Sequence, residues 1–291
     1  MLFELLFPLL SIMATGALLD NKTDLFDTPV IPNLVTTVGI PCMMLHAVLQ
    51  MNMSFATMGQ LVIATLVYLV AMAIIGAAVL YFSRQPIRQY LPAIVNPNTG
   101  NIGVPVCIAL LGPQAAAPAL VISSVVQISH FTLGVGCYSG SMSPQALLRN
   151  MPVMALVFGA LLTLAEIELN PSVMQSLDMV GSITVPLMLM QLGCTVSRLK
   201  FYNLCKAYKP AMLAVMRVLL GAMVAVVVIQ YSPVSTLDAK VFVIQGAMPI
   251  AIISYVLSCR YQSDSDDIAL AILFSIPLAI ITALTFSQHI F

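Results

Sequence analysis

Apolar residues run along this chain in blocks of about twenty, separated by short polar connections, and that is the length a helix needs to cross the hydrocarbon of a bilayer. Such windows fall at 2–19, 29–50, 58–82, 90–111, 115–138, 147–166, 172–196, 207–230, 239–259 and 268–289, which predicts ten transmembrane helices. The fourth and ninth windows are interrupted near their middles. One interruption reads Asn96-Pro97-Asn98-Thr99-Gly100-Asn101-Ile102-Gly103-Val104-Pro105 and the other Gln245-Gly246-Ala247-Met248-Pro249. A broken helix frees backbone N–H and C=O groups that lipid cannot satisfy, so they are buried in protein or line a water-filled cavity. A matched pair of such breaks points to the binding site of a secondary transporter.

The two halves of the chain echo one another. Thr36-Thr37-Val38-Gly39-Ile40-Pro41-Cys42-Met43-Met44-Leu45 resembles Gly181-Ser182-Ile183-Thr184-Val185-Pro186-Leu187-Met188-Leu189-Met190, with Pro41 and Pro186 145 residues apart. Pro105 and Pro249 are 144 apart. The second and fourth helices thus recur as the seventh and ninth. Five helices per half is an odd number, so residues 146–291 enter the membrane from the side opposite to residues 1–145. The expected fold class is an all-α polytopic membrane protein of ten helices, a 5+5 inverted repeat with helices 4 and 9 broken. Two similar halves of opposite orientation can exchange conformations, which gives inward-open and outward-open states of comparable energy.

Composition strengthens this picture. Of 291 residues 60% are hydrophobic and 8% charged, against about 25% charged in soluble domains. Zero net charge argues against nucleic acid as a partner. Six cysteines lie in or beside apolar runs without CxxC or Cys/His spacing, which reads as packing and not as metal or disulfide chemistry. The first apolar run leads into Asp20, Asn21, Lys22 and Asp24 with no small-residue cleavage pattern, so no cleavable signal is expected. The sequons at Asn21 and Asn52 are weak. Basic residues set the orientation. Lys22, Arg84, Arg88, Arg149, Arg198, Lys200, Lys206, Lys209 and Arg260 fall in odd-numbered connections, Lys240 in an even one, and Arg217 inside the eighth helix. The positive-inside rule places odd connections in the cytoplasm and both termini outside.

The breaks carry the candidate chemistry. Pro105 removes a backbone donor and clashes with the carbonyl four residues earlier, while Gly100 and Gly103 ease unwinding before it. Asn98, Thr99 and Asn101 add polar side chains at a depth where they are expensive unless paired. Half-helix N-termini favour an anion such as a carboxylate, and half-helix C-termini with freed carbonyls favour cations. Gln245 precedes the second break at Pro249, and Gln127 on the fifth helix can bond a carboxylate at fixed charge. Arg217, eight residues beyond Lys209, is either a functional intramembrane charge, attracting an anion or stabilising the breaks, or a side chain that snorkels to the cytoplasmic end. His130 is either a proton relay or, more commonly, a hydrogen-bonded structural histidine. Asp264, Asp266 and Asp267 read as compensation of the dipole at the start of the tenth helix.

These residues also carry a family resemblance. Asn98-Thr99, Gly103-Val104-Pro105 and Gly112 resemble the P-N-T-x-x-x-G-I-P stretch of the plant auxin efflux carriers. Gln245-Gly246-Ala247-Met248-Pro249 with Tyr261, Pro41 with His46, and Leu192-Gly193 are similar to their ninth, second and seventh helices. The chain thus resembles the auxin efflux carrier family of the bile acid/sodium symporter superfamily, as a bacterial member. The resemblance implies crossed helices 4 and 9, a dimerising scaffold of helices 1, 2, 6 and 7, and a mobile transport domain of helices 3–5 and 8–10 that works as an elevator in the cell inner membrane. It implies that Asn98 contacts substrate and that Pro105 and Pro249 are the crossover prolines. One departure is visible: the third helix has no charged residue between Gln60 and Phe82, where plant carriers place a charged support site.

The function expected is a secondary carrier of small organic anions, carboxylates of the auxin-like or malonate-like kind, with no cofactor and with H+ or Na+ as a possible coupling ion. The alternative is a sodium-coupled symporter of the bile-acid type, since carbonyls and Asn, Thr or Gln side chains can bind sodium without carboxylates. Paired intramembrane acids, which a cation exchanger needs, do not occur in the third, fourth, fifth, ninth or tenth helix. An intramembrane hydrolase is the remote alternative; Ser123, Ser124, Ser129 and His130 are its only serine/histidine set, and no HExxH motif is present.

Overall fold

The computed structural model describes residues 2–20, 22–23, 30–50, 55–140, 151–198, 207–261 and 265–289. The sequons at Asn21 and Asn52, the basic residues Arg149, Lys200 and Lys206, and Asp264 lie outside them. The described residues are helical, without a strand. In chain order the helices are α1 (Leu2–Asp20), α2 (30–49), α3 (Phe55–Phe82), α4a (Ile87–Val95), α4b (Thr99–Leu111), α5 (Pro113–Ser139), α6 (Met151–Leu164), α7 (171–198), α8 (Tyr208–Gln230), α9a (Thr236–Gly246), α9b (Ile252–Arg260) and α10 (Ser265–His289). Thr57–Phe82, Pro113–Ser139, Tyr208–Gln230 and Asp266–Phe286 are each long and apolar enough to span a bilayer, at the places the hydropathy windows predict. Shorter apolar helices make up much of the rest, so the chain is a polytopic membrane protein.

Caps fix several boundaries. Ser235 Oγ accepts from the Asp238 amide at 3.1 Å, an N-cap that starts α9a, and donates to Asp238 Oδ2 at 2.8 Å. Asn170 Oδ1 accepts from the Ser172 amide at 2.9 Å, and Pro171 follows as the first residue of α7, where its missing N–H costs nothing. Asp266 and Asp267 stand in the first turn of α10, as the sequence predicts. Asp267 does more than meet the dipole: its Oδ2 accepts from the Tyr90 hydroxyl of α4a at 2.8 Å.

The chain forms two compact units, each from two separate segments: Met1–Asn52 with Ser143–Lys200, and Met53–Met142 with Phe201–Phe291. In the first, α1 packs on α7 and α6 on α2. Small residues allow these backbones to approach. A Cβ at Gly16 would overlap the Met190 carbonyl, and one at Gly193 the Met13 carbonyl. His46 Nδ1 of α2 lies 3.6 Å from Asp178 Oδ1 of α7.

In the second unit α3 packs on α4a and α5, and α8 on α9a and α10. Helix α3 shows how such a unit faces lipid. Ile63, Val67, Val70 and Ile74 are exposed, whereas Leu61, Thr65, Tyr68 and Met72 are buried. Both faces are apolar, so hydrophobic periodicity alone cannot orient the helix; its interior face is marked by Tyr68, whose hydroxyl needs a partner when buried.

Candidate functional site

Both interruptions fall in the second unit, and they meet. Helix α4a ends at Val95, Asn96 is extended, and Pro97 lies opposite Ile250 as in an antiparallel bridge. The Asn98 amide donates to the Pro249 carbonyl at 2.8 Å. Backbone freed by one break is thus partly satisfied by the other, which is how non-helical chain survives at membrane depth. Ile250 N–H donates to Ser275 Oγ of α10 at 3.1 Å, and that hydroxyl donates onward to the Ile272 carbonyl at 2.7 Å.

Helix α4b restarts in a wide turn over Thr99–Gly103, with the Gly103 amide donating to the carbonyl of Asn98 at 3.0 Å. Pro105 follows as the second residue of regular helix, so the chain leaves the helix at Asn96–Asn98 and not at Pro105 itself. Pro105 and Pro249, aligned by sequence offset, therefore do different work. Pro249 supplies the carbonyl at the crossing, whereas Pro105 lies inside α4b directly after the wide turn. Similar wide turns occur at His130–Gly134 in α5 and Met216–Leu220 in α8; such turns gather at functional sites.

The residues singled out by sequence come together unevenly. Thr99 and Gly100 face α5: Thr99 Oγ1 lies 3.3 Å from Ser123 Oγ, and a Cβ at Gly100 would stand 3.2 Å from the same hydroxyl. Gly103 faces α9a, where a Cβ would overlap Gln245 Oε1. Gln245 Nε2 donates to the Ala119 carbonyl at 3.3 Å, so one side chain ties α9a, α4b and α5 together. Asn101 is buried in the wide turn. No hydrogen bond among the described residues joins Gln127 to the crossing. Yet Ser123, Gln127 and His130 lie at helical spacing on one stripe of α5. Further along the helix, a Cβ at Gly134 would stand 3.9 Å from the Asn96 amide nitrogen. The stripe therefore starts against Thr99, and α5 continues to Asn96.

Several polar atoms here are buried without a partner: both amide atoms of Asn96, Asn98 Nδ2, His130 Nδ1, Gln245 Oε1 and Ser254 Oγ in the first turn of α9b. Each such group costs about 1–3 kcal/mol when left unmet. The expectation that His130 is a satisfied structural histidine fails at Nδ1: the ring is enclosed at the start of the wide turn, with no donor or acceptor within reach of that atom.

Arg217 is fully buried, which removes the snorkelling alternative. Its Nη1 donates to the carbonyls of Ile94 at 2.5 Å and Val95 at 3.0 Å. Its Nη2 donates to the Gly246 carbonyl at 2.6 Å and to the Tyr68 hydroxyl. Tyr68 Oη in turn donates to the Gly246 carbonyl at 3.2 Å. The guanidinium thus caps the C-terminal ends of α4a and α9a at once, with four of its five N–H donors on four acceptors and Nε–H buried without a partner. Its Nη donors are thus turned to the ends of the broken helices. Gly221 and Gly246 make the approach possible. A Cβ at Gly221 would overlap Arg217 Nη2 and the Gly246 carbonyl, and one at Gly246 would overlap Ala225 Cβ.

Tyr68, Gly221, Ser254 and Ser275 are therefore site residues that sequence reasoning missed. Tyr68 had a legible signal, a hydroxyl in mid-helix among aliphatic residues. Tyr68→Phe is expected to lower stability by about 1 kcal/mol, read as a reduced melting temperature of the purified protein, because Arg217 loses an acceptor and Gly246 a donor.

A helical membrane protein in which two interrupted helices cross inside one compact unit has the architecture of a carrier. The family model described as membrane transport protein matches residues 137–287, and the chain belongs to that family, in agreement with its resemblance to the auxin efflux carriers. It is also similar to an uncharacterised transporter of Methanocaldococcus jannaschii, 27% identical over 186 residues that make up 60% of this chain and 59% of the relative. The chain thus matches about three-fifths of that relative's length.

Proposed function

We propose that the crossing binds a small organic anion, a carboxylate, and that the protein carries it across the cell inner membrane by alternating access. The observation that carries this reading is the set of buried, unpartnered side-chain atoms around the crossing: on Asn98 before α4b and Ser254 in the first turn of α9b, with Asn96 after α4a, Gln245 near the end of α9a and His130 on α5. The two half-helix N-termini add partial positive charge at the same place. Their C-terminal counterparts, α4a and α9a, are closed by Arg217. Asn98 Nδ2 and Ser254 Oγ are the unpartnered atoms at the ends that favour an anion. Asn98, through Nδ2, and Ser254, through its hydroxyl, are the proposed first contacts, with Thr99, Asn101, Gln127 and Gln245 bordering them.

Ten spans in a 5+5 inverted repeat, with both termini outside the cytoplasm, are part of the same proposal. Supporting it, α1 packs on α7 as α6 does on α2, and α3 packs on α5 as α8 does on α10, the pairings an exchange of halves generates. The unit of Met53–Met142 with Phe201–Phe291 is proposed as the moving body. The unit of Met1–Asn52 with Ser143–Lys200 is its static, dimerising scaffold. An intramembrane hydrolase gains nothing from this geometry, because Ser123 bonds Thr99 and His130 Nδ1 activates no hydroxyl.

Reconstituted protein is expected to exchange labelled malonate or indole-3-acetate for the unlabelled acid inside vesicles. The corresponding neutral amides are expected neither to exchange nor to compete. Exchange of the amides at the same rate, or no exchange of any carboxylate in a panel of mono- and dicarboxylates, rejects the proposal.

A further inference from the structure

We infer that Arg217 is a resident counter-cation: its guanidinium occupies the place at which the converging ends of α4a and α9a would otherwise bind a monovalent cation, so the carrier works without sodium there. This goes beyond the anion reading, since it concerns the opposite ends of the half-helices and stands whatever solute the crossing takes.

The first support is electrostatic. A helix C-terminus carries about half a negative elementary charge. Two of them converge on one guanidinium, so a single positive charge balances the pair. The second is chemical. The acceptors are the carbonyl oxygens of Ile94, Val95 and Gly246 and the Tyr68 hydroxyl, an all-oxygen set of the kind that suits a hard metal cation. Third, no carboxylate among the described residues pairs with Arg217. Asp238, the buried acid of this unit, is bonded to Ser235. A fully buried cation held by three backbone carbonyls and one neutral hydroxyl is the electrostatic equivalent of a bound ion, with the difference that it is covalently tethered to α8 and cannot leave with the solute. The wide turn at Met216–Leu220 and the missing side chain of Gly221 admit the guanidinium at this spot. The sodium-coupled alternative placed sodium on unwound carbonyls, and at these ends the carbonyls are already taken.

The test is melting of purified protein in matched millimolar sodium, guanidinium and choline chloride. Wild type is expected to melt at the same temperature in all three. Arg217→Ala is expected to melt lower and to be raised by guanidinium, which refits the vacated oxygens, but not by choline. Equal response of Arg217→Ala to guanidinium and choline overturns the inference, and so does a sodium-specific stabilisation of wild type. Should Arg217→Ala fail to fold, Arg217→Lys and Arg217→Gln decide: the charged variant is expected to melt clearly above the neutral one, and equal melting overturns the inference. In vesicles, wild-type flux is expected to persist when choline replaces sodium on both sides, and an absolute sodium requirement contradicts it. Absence of any carboxylate flux rejects the anion reading and leaves the melting result standing.

Discussion

Gly221→Ala is expected to reduce carboxylate flux at least tenfold and to lower thermal stability, although it adds a single methyl group. That methyl would occupy space now held by Arg217 Nη2 and by the Gly246 carbonyl. Neither neighbour can yield freely. The guanidinium is held by four acceptors, and the carbonyl belongs to the backbone at the end of α9a. Overpacking of this kind costs about 1–3 kcal/mol, and here the displaced group is also the charge that closes two helix ends. Gly59→Ala provides the control, since a Cβ there meets nothing within 4 Å; its flux and melting temperature are expected to match wild type. Near-normal flux in Gly221→Ala would show that the clamp tolerates displacement.

Asn98 carries the second large effect. Its backbone already serves the crossing through Pro249 and Gly103, while its side-chain Nδ2 is buried and unpartnered. A hydrogen bond to a charged group contributes about 1.5–3 kcal/mol, so Asn98→Ala is expected to weaken carboxylate binding by roughly 10- to 100-fold. The backbone bonds remain, and melting without ligand should change little. Asn98→Asp is expected to be worse than alanine, because it sets a second negative charge against the solute. Equilibrium binding of labelled carboxylate to the three proteins decides the matter. Equal affinity in wild type and Asn98→Ala removes this side chain from the site.

Much of this was legible in the chain. Hydrophobic windows located the helices because lipid demands length and apolarity before anything else. Asn96-Pro97-Asn98 and Pro249 located the breaks because their chemistry is costly anywhere else at that depth. What stayed hidden was partner choice. Arg217 stood out as a lone charge, but its acceptors are carbonyls of Ile94, Val95 and Gly246, and no residue letter records which carbonyl is free or where two helix ends converge. The same blindness hid Gly221, one small residue in an apolar run until α9a is laid against it. Pro105 drew the eye through its offset from Pro249, yet the chain is extended a turn or more earlier. Sequence offset aligns residues, whereas the crossing is set by Asn98 donating to Pro249. Helix α3, which carries no charged residue, meets Arg217 with the Tyr68 hydroxyl.

The most direct measurement is an experimental density map of the protein with a bound carboxylate such as malonate. The carboxylate is expected between the starts of α4b and α9b, within hydrogen-bonding distance of the Asn98 amide nitrogen, with Arg217 still bonded to the opposite helix ends. Density for the acid elsewhere, with Asn96, Asn98 and Gln245 meeting only protein, would contradict the account.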